Sequence, residues 1–159
     1  MDENKLNKNK FIPDDFVVPI EYKTENFTIR KLTALDLKED YIAVMEAKEH
    51  IHQLYTEEYT NGWPADNLTL EEDEMDLIGH EKEFDDRAAF AYTVFDFENK
   101  KCLGCIYIDP SNYYDAEITM WTRDSTTDEL LYRTVKKWIE RDWSFKNVNY
   151  PTFGELYDK

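Results

Sequence analysis

Residues 88–108 read AAFAYTVFDFENKKCLGCIYI, and residues 115–123 read DAEITMWTR. Both stretches are rich in aromatic and β-branched residues, and the polar segment 98–101 interrupts the first of them. Two apolar runs joined by a short polar segment are typical of a β-hairpin. The two stretches therefore predict three consecutive antiparallel strands, at 88–97, 102–108 and 116–122.

Three helices are predicted around this meander. Each begins with a threonine that is followed three residues later by an acid, which is the pattern of a capping box. Apolar residues then recur at helical spacing. The helices are expected at about 35–49, 69–84 and 127–143, and the three threonine–acid pairs are Thr33/Asp36, Thr69/Glu72 and Thr126/Glu129.

The remaining segments complete an α+β domain. Residues 27–32 alternate between apolar and polar and predict an opening strand, and a short strand is expected near Val148. Residues 1–26 are predicted to form an N-terminal tail and an extended arm, with 16–20 laid along the core, and residues 27–159 to form the domain. A chain of 159 residues is long enough for one hydrophobic core.

The overall charge argues against two classes of partner. The chain has 35 acidic and 19 basic residues, a formal charge of −16. Such a charge repels nucleic-acid phosphates and anionic lipid headgroups, so neither nucleic acid nor a membrane is expected as a partner. The N-terminus lacks the apolar core of a signal peptide, and no apolar run is long enough to span a bilayer, so we expect a cytoplasmic protein.

The acidic residues are concentrated in residues 66–86, which hold ten carboxylates and one lysine, a net charge of −9. We refer to this segment as the acidic belt. It has two interpretations: a solvated helix face, or a surface that attracts a small cationic amine.

Metal and disulfide sites are not expected. Cys102 and Cys105 are three residues apart in a predicted strand, which would place their side chains on opposite faces, and a Cys-x-x-Cys zinc or redox site would lack a second pair of ligands. His50 and His52 lie near the end of the first predicted helix, where an imidazole interacts favourably with the helix C-terminus.

The order strand, helix, helix, three-stranded meander, helix, strand resembles the fold of the acyl-CoA-dependent N-acyltransferases (GNAT). Residues 27–36 (FTIRKLTALD) are similar to the opening strand and helix of that family, residues 88–108 with Leu103-Gly104 to its second and third strands, and residues 115–123 to its fourth. The resemblance covers roughly residues 27–150. It implies a mixed, mainly antiparallel sheet flanked by helices and shortened at the C-terminus.

The resemblance also locates a coenzyme loop. In the family, a glycine-containing loop after the fourth strand holds the coenzyme A pyrophosphate with its amides and the following helix N-terminus. Residues 123–129 (RDSTTDE) contain no glycine and place Asp128 and Glu129 in the first turn of the predicted helix. Binding of acetyl-CoA is therefore expected to be weak or lost. The residues that remain candidates for cofactor binding are Trp121, Thr122, Arg123, Ser125 and Thr126.

The resemblance further implies catalytic roles. A glutamate on the fourth strand of the family acts as the base, a backbone amide of that strand polarises the thioester carbonyl, and a tyrosine protonates the leaving group. Glu117 matches the glutamate, and Tyr150 or Tyr157 could act as the tyrosine. Alternatively, Glu117 forms an ion pair with Arg30 or Lys31 on a neighbouring strand, and the two tyrosines simply pack on the domain.

Three hypotheses about function follow. The chain is an N-acyltransferase for a small cationic amine, a catalytically silent GNAT-like domain that binds a ligand or dimerises, or an unrelated β-rich carrier or sensor. The degenerate loop makes acyl transfer doubtful and favours the second hypothesis. An uncovered strand edge near the C-terminus predicts a homodimer. Its apolar contact would come from Tyr150, Phe153, Leu156 and Tyr157.

Overall fold

The computed structural model describes residues 10–158, so the predicted tail at residues 1–9 lies outside the described residues. A single six-stranded sheet follows the order of the sequence, and all neighbouring strands are antiparallel except the last pair. The predicted meander and the α+β class are confirmed. The strands are β1 (Glu21–Lys23), β2 (Phe27–Lys31), β3 (Phe90–Asp96), β4 (Cys102–Asp109), β5 (Ala116–Thr122) and β6 (Val148–Asn149).

The helices cover both faces of the sheet. They are α1 (Leu37–Leu54), α2 (Glu57–Thr60), α3 (Leu70–Asp85), α4 (Asp128–Asp142) and α5 (Phe153–Tyr157). The predicted capping box of Thr69 and Glu72 opens α3. None of the helices between residues 10 and 158 is both long and apolar enough to cross a membrane.

Two apolar clusters lie on the two sides of the sheet. On one side α4 contributes Leu131, Val135 and Trp138, which pack with strand residues such as Ile29 and Tyr92. On the other side α1 and α3 pack against strand residues that include Phe95, Cys105 and Trp121. Since both faces are covered, the central strands β3, β4 and β5 are mostly buried, which explains why their sequences read as nearly continuous apolar runs.

The segment before β1 packs on the α4 side. The guanidinium of Arg87 donates hydrogen bonds to the carbonyl oxygens of Pro13 (2.8 Å) and Phe16 (3.0 Å). The hydroxyl of Tyr92 donates to the carbonyl oxygen of Pro19 (2.6 Å). These bonds hold an extended segment along the core.

A β-bulge changes the alternation of β4. Val94 lies opposite Gly104 while Phe95 lies opposite Cys102, so Leu103 is the extra residue. An extra residue in a strand reverses which face of the sheet each later side chain of that strand points to. Cys102 and Cys105 consequently lie in the same buried cluster as free thiols, and the prediction that they occupy opposite faces is wrong.

Gly104 permits the close approach of β4 and β5 at this bulge. A Cβ atom at this position would lie 2.0 Å from the carbonyl oxygen of Trp121. Only glycine avoids that overlap with the neighbouring main chain.

The parallel contact between β5 and β6 is brief. It consists of the pairs Ala116–Val148 and Glu117–Asn149, while β5 continues to Thr122. No described strand covers this edge of residues 118–122, and the cleft beside it is where the main chain of β5 is accessible to another group.

The C-terminal segment packs on its own chain. Phe153 is 1% exposed in the cluster below α4. The rings of Tyr150 and Tyr157 lie 5.2 and 6.0 Å from that of Tyr132. Phe153 is therefore not available for the predicted dimer contact, because it fills the core of its own chain, whereas Leu156 is about half exposed.

Candidate functional site

The free edge of β5 is closed by the side chain of Tyr55, the residue that follows α1. Its hydroxyl donates a hydrogen bond to the carbonyl oxygen of Met120 (2.7 Å) and accepts one from the Met120 amide (3.1 Å). Tyr55 is buried, and its ring stacks on Tyr59 at a centroid distance of 5.6 Å. Both main-chain groups of Met120 are thus bonded to a side chain of the same protein.

Acidic side chains occupy the loop after β5. The Asp124 carboxylate accepts a hydrogen bond from the Thr126 amide (3.0 Å). The predicted Thr126 cap is therefore wrong. Asp124 caps a 3-10 turn at Ser125–Thr127, and the N-cap residue of α4 itself is Thr127, whose side chain makes no capping hydrogen bond. A carboxylate in this position satisfies a helix-terminal amide that would otherwise be available to an anion.

Asp128, the first residue of α4, is buried behind this loop. One of its carboxylate oxygens accepts from the Thr122 hydroxyl (2.6 Å), and the other lies 2.7 Å from Nε2 of His50. His50 therefore links α1 to Asp128, a contact that the helix-terminus interpretation did not predict. Burial raises the pKa of Asp128, while Thr122 and His50 counteract that rise.

The only arginine of the loop is also engaged. The Arg123 guanidinium bonds to the Glu46 carboxylate and donates to the carbonyl oxygen of Cys102 (3.0 Å). Among the predicted cofactor-binding residues, Thr122 and Arg123 thus have partners within the chain, and Ser125 and Thr126 are exposed.

Trp121 points to the other side of the sheet, into a cavity of about 380 Å³ between β4, β5 and the helices α1 to α3. Its indole donates a hydrogen bond to the Tyr107 hydroxyl (2.9 Å). The aromatic lining residues are Tyr55, Tyr59, Trp63, Tyr107 and Trp121, and the ionisable ones besides the tyrosines are Asp40, Asp73, Asp76, His80 and Asp109.

Two buried carboxyl groups form the inner end of the cavity. Asp40 of α1 and Asp73 of α3 are 3% and 1% exposed. Burial, followed by the proximity of Asp73, holds the pKa of Asp40 well above its usual range, and burial also raises the pKa of Asp73. Oδ2 of Asp73 has no hydrogen-bond partner among residues 10–158. A buried oxygen without a donor is costly, so this atom is available to a ligand that donates a proton.

A second pair of acids includes Asp109, which also lines the cavity. Asp109 ends β4 opposite Glu117 of β5. Burial, together with the charges of Glu83 and Glu117, raises the pKa of Asp109 to about 6. Glu117 accepts hydrogen bonds from the Tyr59 hydroxyl (2.6 Å) and the Asn149 side chain (3.2 Å).

The two predicted catalytic residues are not brought together. Glu117 contacts Tyr59, which lines the cavity, whereas Tyr150 packs with the cluster on the α4 side. The alternative ion pair of Glu117 with Arg30 or Lys31 is wrong, because Arg30 bonds to Asp36 and Lys31 to Asp85.

Sequence reasoning missed Asp40, Tyr55 and Asp109, and it placed Asp73 only within the acidic belt. The sequence does carry a signal for Asp40. The buried residues Ala43, Val44 and Ala47 follow Asp40 at helical spacings of three, four and seven residues, so an acid occupies the apolar stripe of α1. Among the described residues, no group of three or more His, Cys, Asp or Glu side chains is arranged to hold a metal ion.

Comparisons with known proteins find structural similarity only. No protein-family model and no curated sequence matches the chain. Solved structures do match. The ribosomal-protein-S5-alanine acetyltransferase from Vibrio fischeri has a TM-score of 0.59 and 12% identity, and the match covers 76% of this chain and 67% of that one.

Two further acetyltransferases are similar. A ribosomal L7/L12 α-N-protein acetyltransferase has a TM-score of 0.57 and 16% identity over 82% of this chain and 71% of its own. The microcin C7 self-immunity acetyltransferase, solved with acetyl-CoA and AMP, has a TM-score of 0.58 and 14% identity over 82% and 73%. The strand order, the parallel β5–β6 contact and these structural matches together show that the chain has the fold of the GNAT acetyltransferases.

Proposed function

We propose that this chain is a GNAT-fold binding protein that takes a small cationic amine into the cavity beside β4 and β5 and does not transfer acyl groups from acetyl-CoA. The observation that carries the proposal is the double hydrogen bond of Tyr55 to Met120. The resemblance to the GNAT family implies that a main-chain amide of the strand corresponding to β5 polarises the thioester carbonyl. In this chain the Met120 amide already has an acceptor, and a thioester would have to displace a buried tyrosine.

The loop after β5 supports the same conclusion about coenzyme A. A pyrophosphate needs converging free amides and positive charge. Here the Thr126 amide is bonded to Asp124, Asp128 adds a buried carboxylate, and Arg123 is paired with Glu46. An anionic group would meet two acids and no unpaired arginine.

The cavity itself favours a cation. Its ionisable lining includes four aspartates, and its walls carry five aromatic rings. An ammonium group supplies hydrogen-bond donors for carboxylates and interacts favourably with aromatic faces, while the methylene groups of an alkylamine pack on the same rings. The net charge of −16 attracts such a ligand from solution.

Acyl transfer to the amine is the second candidate function, and the position of Glu117 favours it. Its carboxylate accepts a hydrogen bond from Tyr59, which lines the cavity, so a base for a bound amine would lie next to the lining. This function requires Tyr55 to leave Met120 so that a thioester can enter.

Titration of the purified protein with acetyl-CoA and with pentylamine tests the proposal. Trp63 and Trp121 line the cavity, so their fluorescence reports occupancy alongside calorimetry. We expect saturable binding of pentylamine and no submicromolar binding of acetyl-CoA. Asp73→Asn should weaken amine binding, whereas the matched variant Glu74→Gln, on the exposed side of the same helix, should not. A submicromolar dissociation constant for acetyl-CoA, or no response to the amine, contradicts the proposal.

Self-association is a separate part of the proposal. The strand β6 lies at the edge of the sheet, and the exposed Leu156 follows it closely, so two copies could pair there. Sedimentation at low and high salt tests this, because apolar association between two anionic chains should strengthen with salt. A strict monomer in both conditions rules it out.

A further inference from the structure

We propose that the ligand of the cavity is a linear aliphatic diamine or triamine, whose two charged ends contact two separate pairs of acids. The inner pair is Asp40 and Asp73, and the outer pair is Asp109 and Glu117. This inference rests on the proposed function, since it names the kind of amine that the same cavity binds.

The separation of the two pairs is set by β4. Sγ of Cys105 lies 3.5 Å from Oδ1 of Asp40, so the inner pair lies beside Cys105 on β4. Asp109 is four residues further along the same strand. Four residues of β-strand rise about 13 Å. One ammonium group cannot contact both pairs, whereas the two ends of an extended aliphatic chain can.

The space between the pairs suits a chain of methylene groups. Tyr107 lies midway between Cys105 and Asp109 on β4 and lines the cavity, and Trp121 donates to its hydroxyl. Tyr59 and Trp63 complete the aromatic wall. These rings provide apolar contact for methylene groups. The His80 ring lies 5.4 Å from that of Tyr107 and also lines this space.

The inner pair is built to accept a donor. Oδ2 of Asp73 is buried without a partner. The Cys105 thiol donates weakly to Asp40, and a proton held by Asp40 forms a hydrogen bond with the Asp73 carboxylate, so the pair keeps one negative charge. An ammonium group brings three donors and one positive charge, which match a buried carboxyl pair that retains one ionised member.

The outer pair needs a cation of its own. Asp109 and Glu117 are direct cross-strand neighbours, an arrangement in which like charges repel. Tyr59 and Asn149 donate to Glu117, but no Lys or Arg side chain pairs with either acid in the described chain. A ligand with a single ammonium at the inner pair leaves this repulsion in place, and a second ammonium relieves it.

Calorimetry with matched probes tests the inference. Cadaverine and pentylamine have the same five-carbon chain and differ in the second ammonium group, and spermidine tests a longer cation. We expect cadaverine or spermidine to bind at least about tenfold more tightly than pentylamine to the natural protein. Asp109→Asn should lower diamine affinity towards that of pentylamine and lower pentylamine affinity by a smaller factor. Glu74→Gln should alter neither.

The possible outcomes separate the inference from the proposed function. Equal affinities for pentylamine and the diamines overturn the inference and leave the proposed function standing. An Asp109→Asn variant that loses affinity for pentylamine and for the diamine by the same factor has the same consequence. Failure of every amine to bind overturns both. Melting curves of each variant establish that it is folded, so that a lost affinity reflects the site.

Discussion

The hydroxyl of Tyr55 is hydrogen-bonded to both main-chain groups of Met120, at 2.7 Å to the carbonyl oxygen and 3.1 Å to the amide nitrogen. A side chain from the end of α1 thereby takes the place of a strand partner along the open edge of β5. It joins the helix layer to the sheet and closes the cleft that the fold otherwise leaves open.

Replacement of Tyr55 by phenylalanine should destabilise the protein. The variant leaves the buried amide and carbonyl of Met120 without a partner, which costs about 1–3 kcal/mol. Urea unfolding measures the change. Tyr113→Phe is the matched control, because Tyr113 is 89% exposed and its loss of a hydroxyl should have little effect. Equal stabilities of the two variants would show that the Tyr55 contact is unimportant.

Replacement of Gly104 by alanine should be strongly destabilising. The new Cβ would lie 2.0 Å from the Trp121 carbonyl oxygen, so β4 and β5 must separate. We expect a loss of about 2–4 kcal/mol, a range typical of core overpacking combined with broken ladder bonds. Gly79→Ala is the control. It lies within α3 with no atom within 4 Å of the added carbon, so alanine should stabilise the helix by about 0.5–1 kcal/mol.

Asp109→Asn should stabilise the unliganded protein near neutral pH. The folded-state pKa of Asp109 is raised to about 6, above the value of about 4 in an unfolded chain. The folded protein therefore holds the proton more tightly, and its stability falls as pH rises between these two values. The asparagine variant avoids this cost. Its melting temperature should exceed that of the natural protein at pH 7, and the difference should disappear below about pH 4. A constant difference across that range would contradict the role of ionisation.

Binding of the diamine should strengthen as pH rises from about 5 to 7. Asp73, Asp76 and Asp109 face the cavity with raised pKa values, that of Asp109 at about 6, and they release protons when they pair with a cation. An alkylammonium, like lysine, stays charged over this range. Calorimetry in two buffers of different ionisation enthalpy measures the protons released. His80 also lines the cavity, so His80→Gln should be compared to separate its titration from that of the acids. Affinity that is independent of pH would contradict this account.

Much of the fold follows from local patterns in the sequence. The apolar runs of β3, β4 and β5 are separated by polar turns, and the Thr69–Glu72 capping box marks the start of α3. These signals act over a few residues, so they predict elements and their order. The absence of glycine from residues 123–129 predicts a loop without a phosphate cradle, and this stays a prediction.

The tertiary structure decided the features on which the site depends. Whether Cys102 and Cys105 share a face depends on one extra residue in β4, which strand alternation alone does not reveal. The acidic belt could be read as solvated or functional, because its sequence does not say that Asp73 turns inward while most of its neighbours remain exposed.

The sequence by itself determined the class of the fold, the net charge of the chain and the absence of glycine from residues 123–129, because each follows from local patterns or from composition. Only the tertiary structure placed Asp40 beside Asp73, across 33 positions of chain, and Tyr55 against Met120, across 65. Such contacts arise from the packing of α1 and α3 on the sheet. Since a single sequence specifies that packing only through the sum of many weak apolar interactions, the partners of these side chains could not be predicted from their neighbours in the chain.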